Sequence, residues 1–103
     1  MKTFTARRAY QLADEFRKRG VRVVLGGHHP TLLPEEALEH ADAILTGEAE
    51  GVWDQLLADA KRGTLKKIYR QEATLPFERI EPDYSIFNGK KYLPVAMIET
   101  TRG

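Results

Sequence analysis

The sequence predicts an α/β protein: a partial Rossmann-like, doubly wound parallel sheet with covering helices, followed by an irregular linker with a β-hairpin. Three observations carry this. Between residues 5 and 70, stretches with helical apolar spacing alternate with short apolar runs, the order expected of a parallel sheet joined by crossover helices. The run at residues 21–25 is β-branched, short and nearly continuous in apolar side chains, which suits a strand covered on both faces. It ends abruptly in Gly26-Gly27-His28-His29-Pro30, a turn at the carboxyl end of a strand, where open α/β sheets place their ligands.

Residues 5–19 read as an amphipathic helix. Ala9, Leu12, Ala13 and Phe16 form one apolar stripe, and Arg7, Arg8, Gln11, Asp14, Glu15 and Lys18 take the other face. Thr3 or Thr5 is placed to cap its start and Gly20 to follow its end. Arg17, Lys18 and Arg19 crowd the last turn, where cations suit the helix dipole better than they argue for nucleic acid. After the glycine turn, Pro34 opens a short helix with Glu35 and Glu36 in its first turn, ending near His40. Residues 41–46 are a second strand, closed by Gly47-Glu48. Residues 50–62 are a third helix, with Ala49, Val52, Trp53, Leu56, Leu57 and Ala60 as its stripe and Trp53 assigned to the core. Residues 66–70 read as a short edge strand protected by its lysines.

The pattern changes after Arg70. Pro76, Pro82 and Pro94 interrupt the remainder, so a boundary near Gln71 divides an α/β unit at 1–70 from a linker at 71–103. Asn88-Gly89 between residues 84–87 and 90–93 signals a two-residue hairpin, and residues 95–99 a last strand. Ending on Arg102-Gly103 directly after a strand suggests a cut chain, and so few strands under three helices suggest that others precede them.

At 103 residues the chain is the size of one small domain. A net charge of +1 argues against an electrostatic nucleic-acid or membrane-surface binder. No apolar run approaches the ~20 residues of a bilayer span, and no signal peptide opens the chain, so a cytoplasmic location is expected. With no cysteine, the chain has no disulfide and no thiolate ligand for a cluster.

The candidate site is the rim where the two strands end. Gly26 and Gly27 let a large ligand approach the main chain, with His28 beside them, and Gly47 and Glu48 fall on the same rim. His28 and His29 are adjacent on a loop and complete no familiar metal motif, so no metal site is assigned. Glu48 and Glu50 lack an accompanying nucleophile, and no catalytic residue is assigned. The turn lacks the G-x-G-x-x-G spacing, with Pro30 standing where a helix should begin, and no P-loop lysine is present.

From the residues alone the reading stops at a nucleotide-like ligand on a strand rim. A resemblance goes further. Val23-Val24-Leu25-Gly26-Gly27-His28-His29-Pro30-Thr31, then Pro34-Glu35-Glu36-Ala37-Leu38, His40-Ala41-Asp42-Ala43, and Gly47-Glu48-Ala49-Glu50 with Trp53 resemble the cobalamin-binding domain of B12-type radical SAM proteins. Ala9-Tyr10-Gln11-Leu12-Ala13 with Phe16-Arg17 matches the preceding helix, and Glu99-Thr100-Thr101-Arg102-Gly103 resembles the first strand of the catalytic barrel. The resemblance implies the later half of that domain plus the linker, with Gly26, Gly27 and His28 against the nucleotide tail of cobalamin and Gly47 and Glu48 adjoining. It implies a parent enzyme of the methyltransferase or oxidative-cyclase kind, whose barrel uses a [4Fe–4S] cluster and S-adenosylmethionine. Two family features are missing: the upstream Asp-x-His-x-x-Gly loop, which many radical SAM members also lack, and the Cys-x3-Cys-x2-Cys cluster loop. The chain itself is therefore expected to bind cofactor and link domains rather than catalyse. The alternative is a degenerate α/β scaffold that binds no cofactor. The expected partners are the rest of the parent chain, or a second copy pairing along the open edge at residues 21–25.

Overall fold

The structure, a computed structural model, describes residues 1–71 and 83–91. The elements run α1 (Ala6–Lys18), β1 (Val24–Gly26), α2 (His28–Leu32), α3 (Pro34–His40), β2 (Ala43–Thr46), α4 (Trp53–Arg62) and β3 (Ile68–Arg70), with 3-10 turns at Thr3–Thr5 and Ser85–Phe87. The three strands form one parallel sheet in the order β1-β2-β3. Val24 pairs with Ala43 and Ile44 with Ile68, so the strands end level at Gly26, Thr46 and Arg70.

All four β2 residues are buried, and their alternation divides the core. Ile44 packs on one face with Ala6, Tyr10 and Ala37 from α1 and α3. Ala43 and Leu45 pack on the other with Leu56 of α4 and Tyr69 of β3. This is the α/β half-sheet expected. Polar ties fix its ends. The Asp42 carboxylate accepts a hydrogen bond from the Val23 amide at 2.8 Å and lies 3.4 Å from the Arg17 guanidinium. Arg17 also donates to the Glu39 carbonyl at 2.9 Å, so it joins α1 to α3. α1 closes with the Gly20 amide bonded to the Arg17 carbonyl and the Val21 amide to that of Phe16, the paired bonds of a Schellman end.

Several expectations are corrected. The face that α1 buries is Ala6, Tyr10 and Ala13; Leu12 and Phe16 are 44% and 49% exposed. Tyr10 wins because its ring stacks on His40 of α3, centroids 4.2 Å apart, an anchor that apolar spacing does not score. Thr5 occupies the cap position, but its hydroxyl turns back to the Lys2 carbonyl. Trp53 is 46% exposed, and α4 begins with it, after a turn, instead of at Glu50. The expected turn at Gly26–Pro30 becomes helical after its glycines: α2 starts at His28, which makes Pro30 its third residue. Proline is tolerated there because the first amides of a helix have no internal acceptor. Residues 84–87 are not a hairpin arm. Ser85–Phe87 forms a 3-10 turn, and the Lys90 amide closes onto the Phe87 carbonyl around Asn88 (φ −59°) and Gly89 (φ +74°). That is a type II turn, whereas an Asn-Gly hairpin uses a type I′ turn with positive φ at both positions. The hairpin's second arm beyond Lys91, the strand at 95–99, and Pro76, Pro82 and Pro94 lie outside the described residues.

Candidate functional site: the carboxyl rim of the sheet

Because the strands are parallel and in level register, everything that follows them gathers on one rim. Gly26-Gly27 leads from β1 into α2, Gly47 to Gly51 leads from β2 towards α4, and Gln71 follows β3.

Gly27 has φ +99° and ψ −170°, a region occupied essentially by glycine alone. Its open side is filled by Met1. The Met1 ammonium donates to the Gly26 carbonyl, and the Met1 carbonyl accepts from the His29 amide at 3.2 Å. A Cβ on Gly27 would fall within 2.9 Å of the Met1 carbonyl oxygen and closer still to its nitrogen. Gly26 differs. A Cβ there would meet only Leu45, at 3.5 and 3.7 Å.

The adjacent histidines part company. His28 is exposed on the rim. His29 is 5% exposed; its Nε2 lies 3.0 Å from the Glu36 carboxylate and its Nδ1 3.3 Å from the Thr3 hydroxyl. His29 thus clamps α2 to α3 and to the chain start. The hydrogen bond to His29, then the nearby Tyr10 hydroxyl, holds the Glu36 carboxyl below its usual range. Burial, and then the neighbouring Glu36 carboxylate, pushes the Tyr10 phenol up to about 12. That hydroxyl makes no hydrogen bond of good geometry. Among the described residues no group of three His, Asp or Glu side chains gathers as a metal site would require.

At the ends of β2 and β3 an open cleft of about 220 Å³ is lined by Thr31, Thr46, Gly47, Arg70 and Gln71. Gln71 closes its floor. The Gln71 amide bonds the Thr46 carbonyl at 3.2 Å, and the Gln71 carboxamide lies where a Cβ on Gly51 would project. Glu48 is half-buried beside the cleft and is itself engaged in an interaction. Of the residues expected at the site, Gly47 lines this cleft, Gly26, Gly27 and His28 stand at the neighbouring turn, and Glu48 follows Gly47 in the loop after β2. Thr31, Thr46, Gly51, Arg70 and Gln71 were not anticipated. Only the position of Arg70-Gln71 at the carboxyl end of a strand could have marked two of them.

Fold and rim together define a Rossmann-like half-sheet with an open cleft at its strand ends. The chain is similar to the bacteriochlorophyllide d C-8(2)-methyltransferase of Chlorobaculum tepidum, with 49% identity over 85 residues, covering 82% of this chain and 19% of that protein. It is also similar to the bacteriochlorophyllide d C-12(1)-methyltransferase of the same organism, with 35% identity over 107 aligned residues, covering 99% of this chain and 24% of that protein. The chain therefore spans about a fifth to a quarter of the curated relatives it matches. No family model and no solved structure matches it. Among the described residues no helix is long and apolar enough to cross a membrane.

Proposed function

We propose that this chain is the cobalamin-binding half-domain, with its linker, of a B12-dependent radical SAM methyltransferase. The carrying observation is the level parallel rim. It brings the Gly26-Gly27 turn, Gly47 and the Arg70–Gln71 cleft to one edge, in a chain whose relatives are named as methyltransferases. The methyltransferase names favour that kind of enzyme over an oxidative cyclase.

The rim suits a corrinoid in its donor set. The cleft offers a guanidinium, a carboxamide and two hydroxyls, and no carboxylate lines it, which fits the amide- and phosphate-bearing periphery of cobalamin. Gly26 adds a position without a side chain at the neighbouring turn, packed beside Leu45. Gly26, His28, Gly47 and Arg70 would hold the group, while Gly27, His29 and Glu36 keep the turn in place. When bound, cobalamin supplies a cobalt centre that carries a methyl group, and the protein's part is to orient it. The [4Fe–4S] cluster and S-adenosylmethionine belong, on this reading, to a barrel beyond this chain. The outer edge of β1 pairs with no strand among the described residues, and we assign it to the rest of the protein. A second copy takes its place in the isolated chain; strictly monomeric light scattering at high concentration would count against this pairing.

The test is titration of the purified protein with aquacobalamin, followed by absorbance and gel filtration. Saturable binding and co-elution at one corrinoid per chain are expected. One observation favours a scaffold that binds nothing: the Met1 backbone already fills the open side of Gly27. A cooperatively folded protein that passes cobalamin through the column unretained would establish that reading and end the first.

A further inference from the structure

α1 buries only one strip of its surface. Ala6, Tyr10 and Ala13 are buried, and the flank beside them that faces α3 is occupied. There Asp14 meets His40 at 3.0 Å, and Arg17 donates to the Glu39 carbonyl at 2.9 Å. The opposite flank is bare. Leu12 and Phe16 stand about one turn apart on it, both half exposed. With Arg8, Glu15 and Arg19 they line an open hollow of about 590 Å³. α3 packs over β2 through Ala37 and Ile44, so the flank turned away from α3 overhangs β1. The outer edge of β1 pairs with no strand among the described residues. An apolar helix flank and an open strand edge thus face the same way.

The charges on this flank are self-complementary. Arg8 and Glu15 lie about two turns apart, on either side of Leu12 and equally far from the midpoint between Gln11 and Leu12. A two-fold axis through that midpoint sets two α1 helices antiparallel and places each Arg8 opposite Glu15 of the other copy, the reciprocal contact of an isologous interface. Leu12 and Phe16 then close into the seam. The contacts these charges make now offer little resistance. Arg8 donates to Gln11 at 3.4 Å and Lys18 to Glu15 at 3.0 Å, both exposed and within one helix, a kind of contact that contributes little. The same axis, standing perpendicular to the sheet, sets the two β1 edges antiparallel beside each other, so one contact buries helix flank and strand edge together.

We infer that the Leu12–Phe16 flank of α1 is a two-fold interface whose occupant, in this chain, is a second copy of itself. The interface is independent of the corrinoid reading above, and it goes beyond pairing along β1 by assigning the contact to named side chains of α1.

The experiment is sedimentation equilibrium of the purified chain over a range of concentrations, without cobalamin. Wild type is expected to form a reversible dimer that grows with concentration and weakens with salt. Leu12→Lys puts a charge into the seam and weakens association roughly tenfold or more, the scale of losing one buried leucine. Arg8→Glu and Glu15→Arg each set like charges opposite one another, and each alone is expected to be monomeric. Mixed in equal amounts, the two form a heterodimer, because each supplies the charge that the other lacks. Arg8, Leu12 and Glu15 are exposed, so the variants keep the fold, and circular dichroism melting verifies this. Wild type that stays monomeric at every concentration overturns the interface and leaves the corrinoid reading standing. A dimer that survives Leu12→Lys and both charge reversals belongs to another surface and overturns it too. Two monomeric variants that fail to associate when mixed overturn the pairing of Arg8 with Glu15, and with it the two-fold arrangement.

Discussion

The turn after β1 and the loop after β2 both dispense with a side chain, at Gly27 and at Gly51, yet different things fill the space. At Gly27 it is main chain. Met1 lies there, tied by its ammonium to Gly26 and by its carbonyl to His29. At Gly51 it is the far end of a flexible side chain, the Gln71 carboxamide. Hydrogen-bonded backbone does not yield, whereas a carboxamide on three rotatable bonds does. The first turn is thus a fixed edge, reinforced from below by the contact between buried His29 and Glu36. The second is an adjustable wall beside the Arg70 cleft. A glycine marks a place where something comes close; what comes close decides whether the place is rigid.

The largest expected effect follows at Gly27. Gly27→Ala must leave a backbone region that only glycine favours and must also displace Met1, a cost of about 1–3 kcal/mol for the strain alone. Gly51→Ala needs no change of backbone region, only a new Gln71 rotamer, and should cost under about 1 kcal/mol. Urea unfolding of the two variants side by side checks this. Equal losses would mean that Met1 is not held at the turn as the structure shows.

The next effect concerns what reinforces the first turn. Glu36 faces His29 of α2, Tyr10 of α1 and His40 of its own helix. Its carboxyl is held below the usual range in the folded protein, chiefly by the hydrogen bond to His29. A depressed acid stabilises the fold above its unfolded pKa, and that contribution disappears as pH falls through the folded pKa. Wild type should therefore lose stability in the acid range, and Glu36→Gln should flatten that part of the pH profile while unfolding more easily at neutral pH. Chemical denaturation across pH measures both. An unchanged acid limb in Glu36→Gln would remove His29–Glu36 as the brace of α2.

The same contrast explains what the sequence disclosed. The alternation of apolar runs and amphipathic stretches placed α1, α3, α4 and the three strands, because burial on a sheet leaves a periodic trace. The rim followed from strand direction, and with it Gly26, Gly27, His28, Gly47 and Glu48. What periodicity could not carry were contacts made by polar or bare positions. Tyr10 stacks on His40 and rotates α1 away from the Leu12–Phe16 stripe. His29 looked like a twin of His28 and is instead a buried brace. Pro30 read as a helix breaker, though at the third position of α2 it interrupts no internal bond. Trp53 satisfied the helical stripe but stands exposed at the start of α4, over an open hollow it shares with Ala49, Glu50 and Asp54. Gly51 and Gln71 explain each other only once β3 is paired with β2.

The smallest expected effect on stability is at Gly26, and there the fold and the ligand separate most cleanly. A methyl group on Gly26 would sit at ordinary contact distance from Leu45, 3.5 Å from its carbonyl oxygen and 3.7 Å from its Cβ. The residue closes β1 and its φ is not among the positive ones. Alanine should therefore leave stability unchanged or raise it by up to about 0.5–1 kcal/mol through the lost freedom of the unfolded glycine. The methyl group would point toward Leu45 of β2, so a loss of corrinoid binding in Gly26→Ala would report on the backbone of this turn and not on the core. Gly26→Ala should keep its melting temperature and, on the corrinoid reading, bind aquacobalamin more weakly. Unaltered corrinoid affinity in Gly26→Ala would take the first turn out of the site and leave it as a brace only, with the ligand held by the adjustable loop beyond β2.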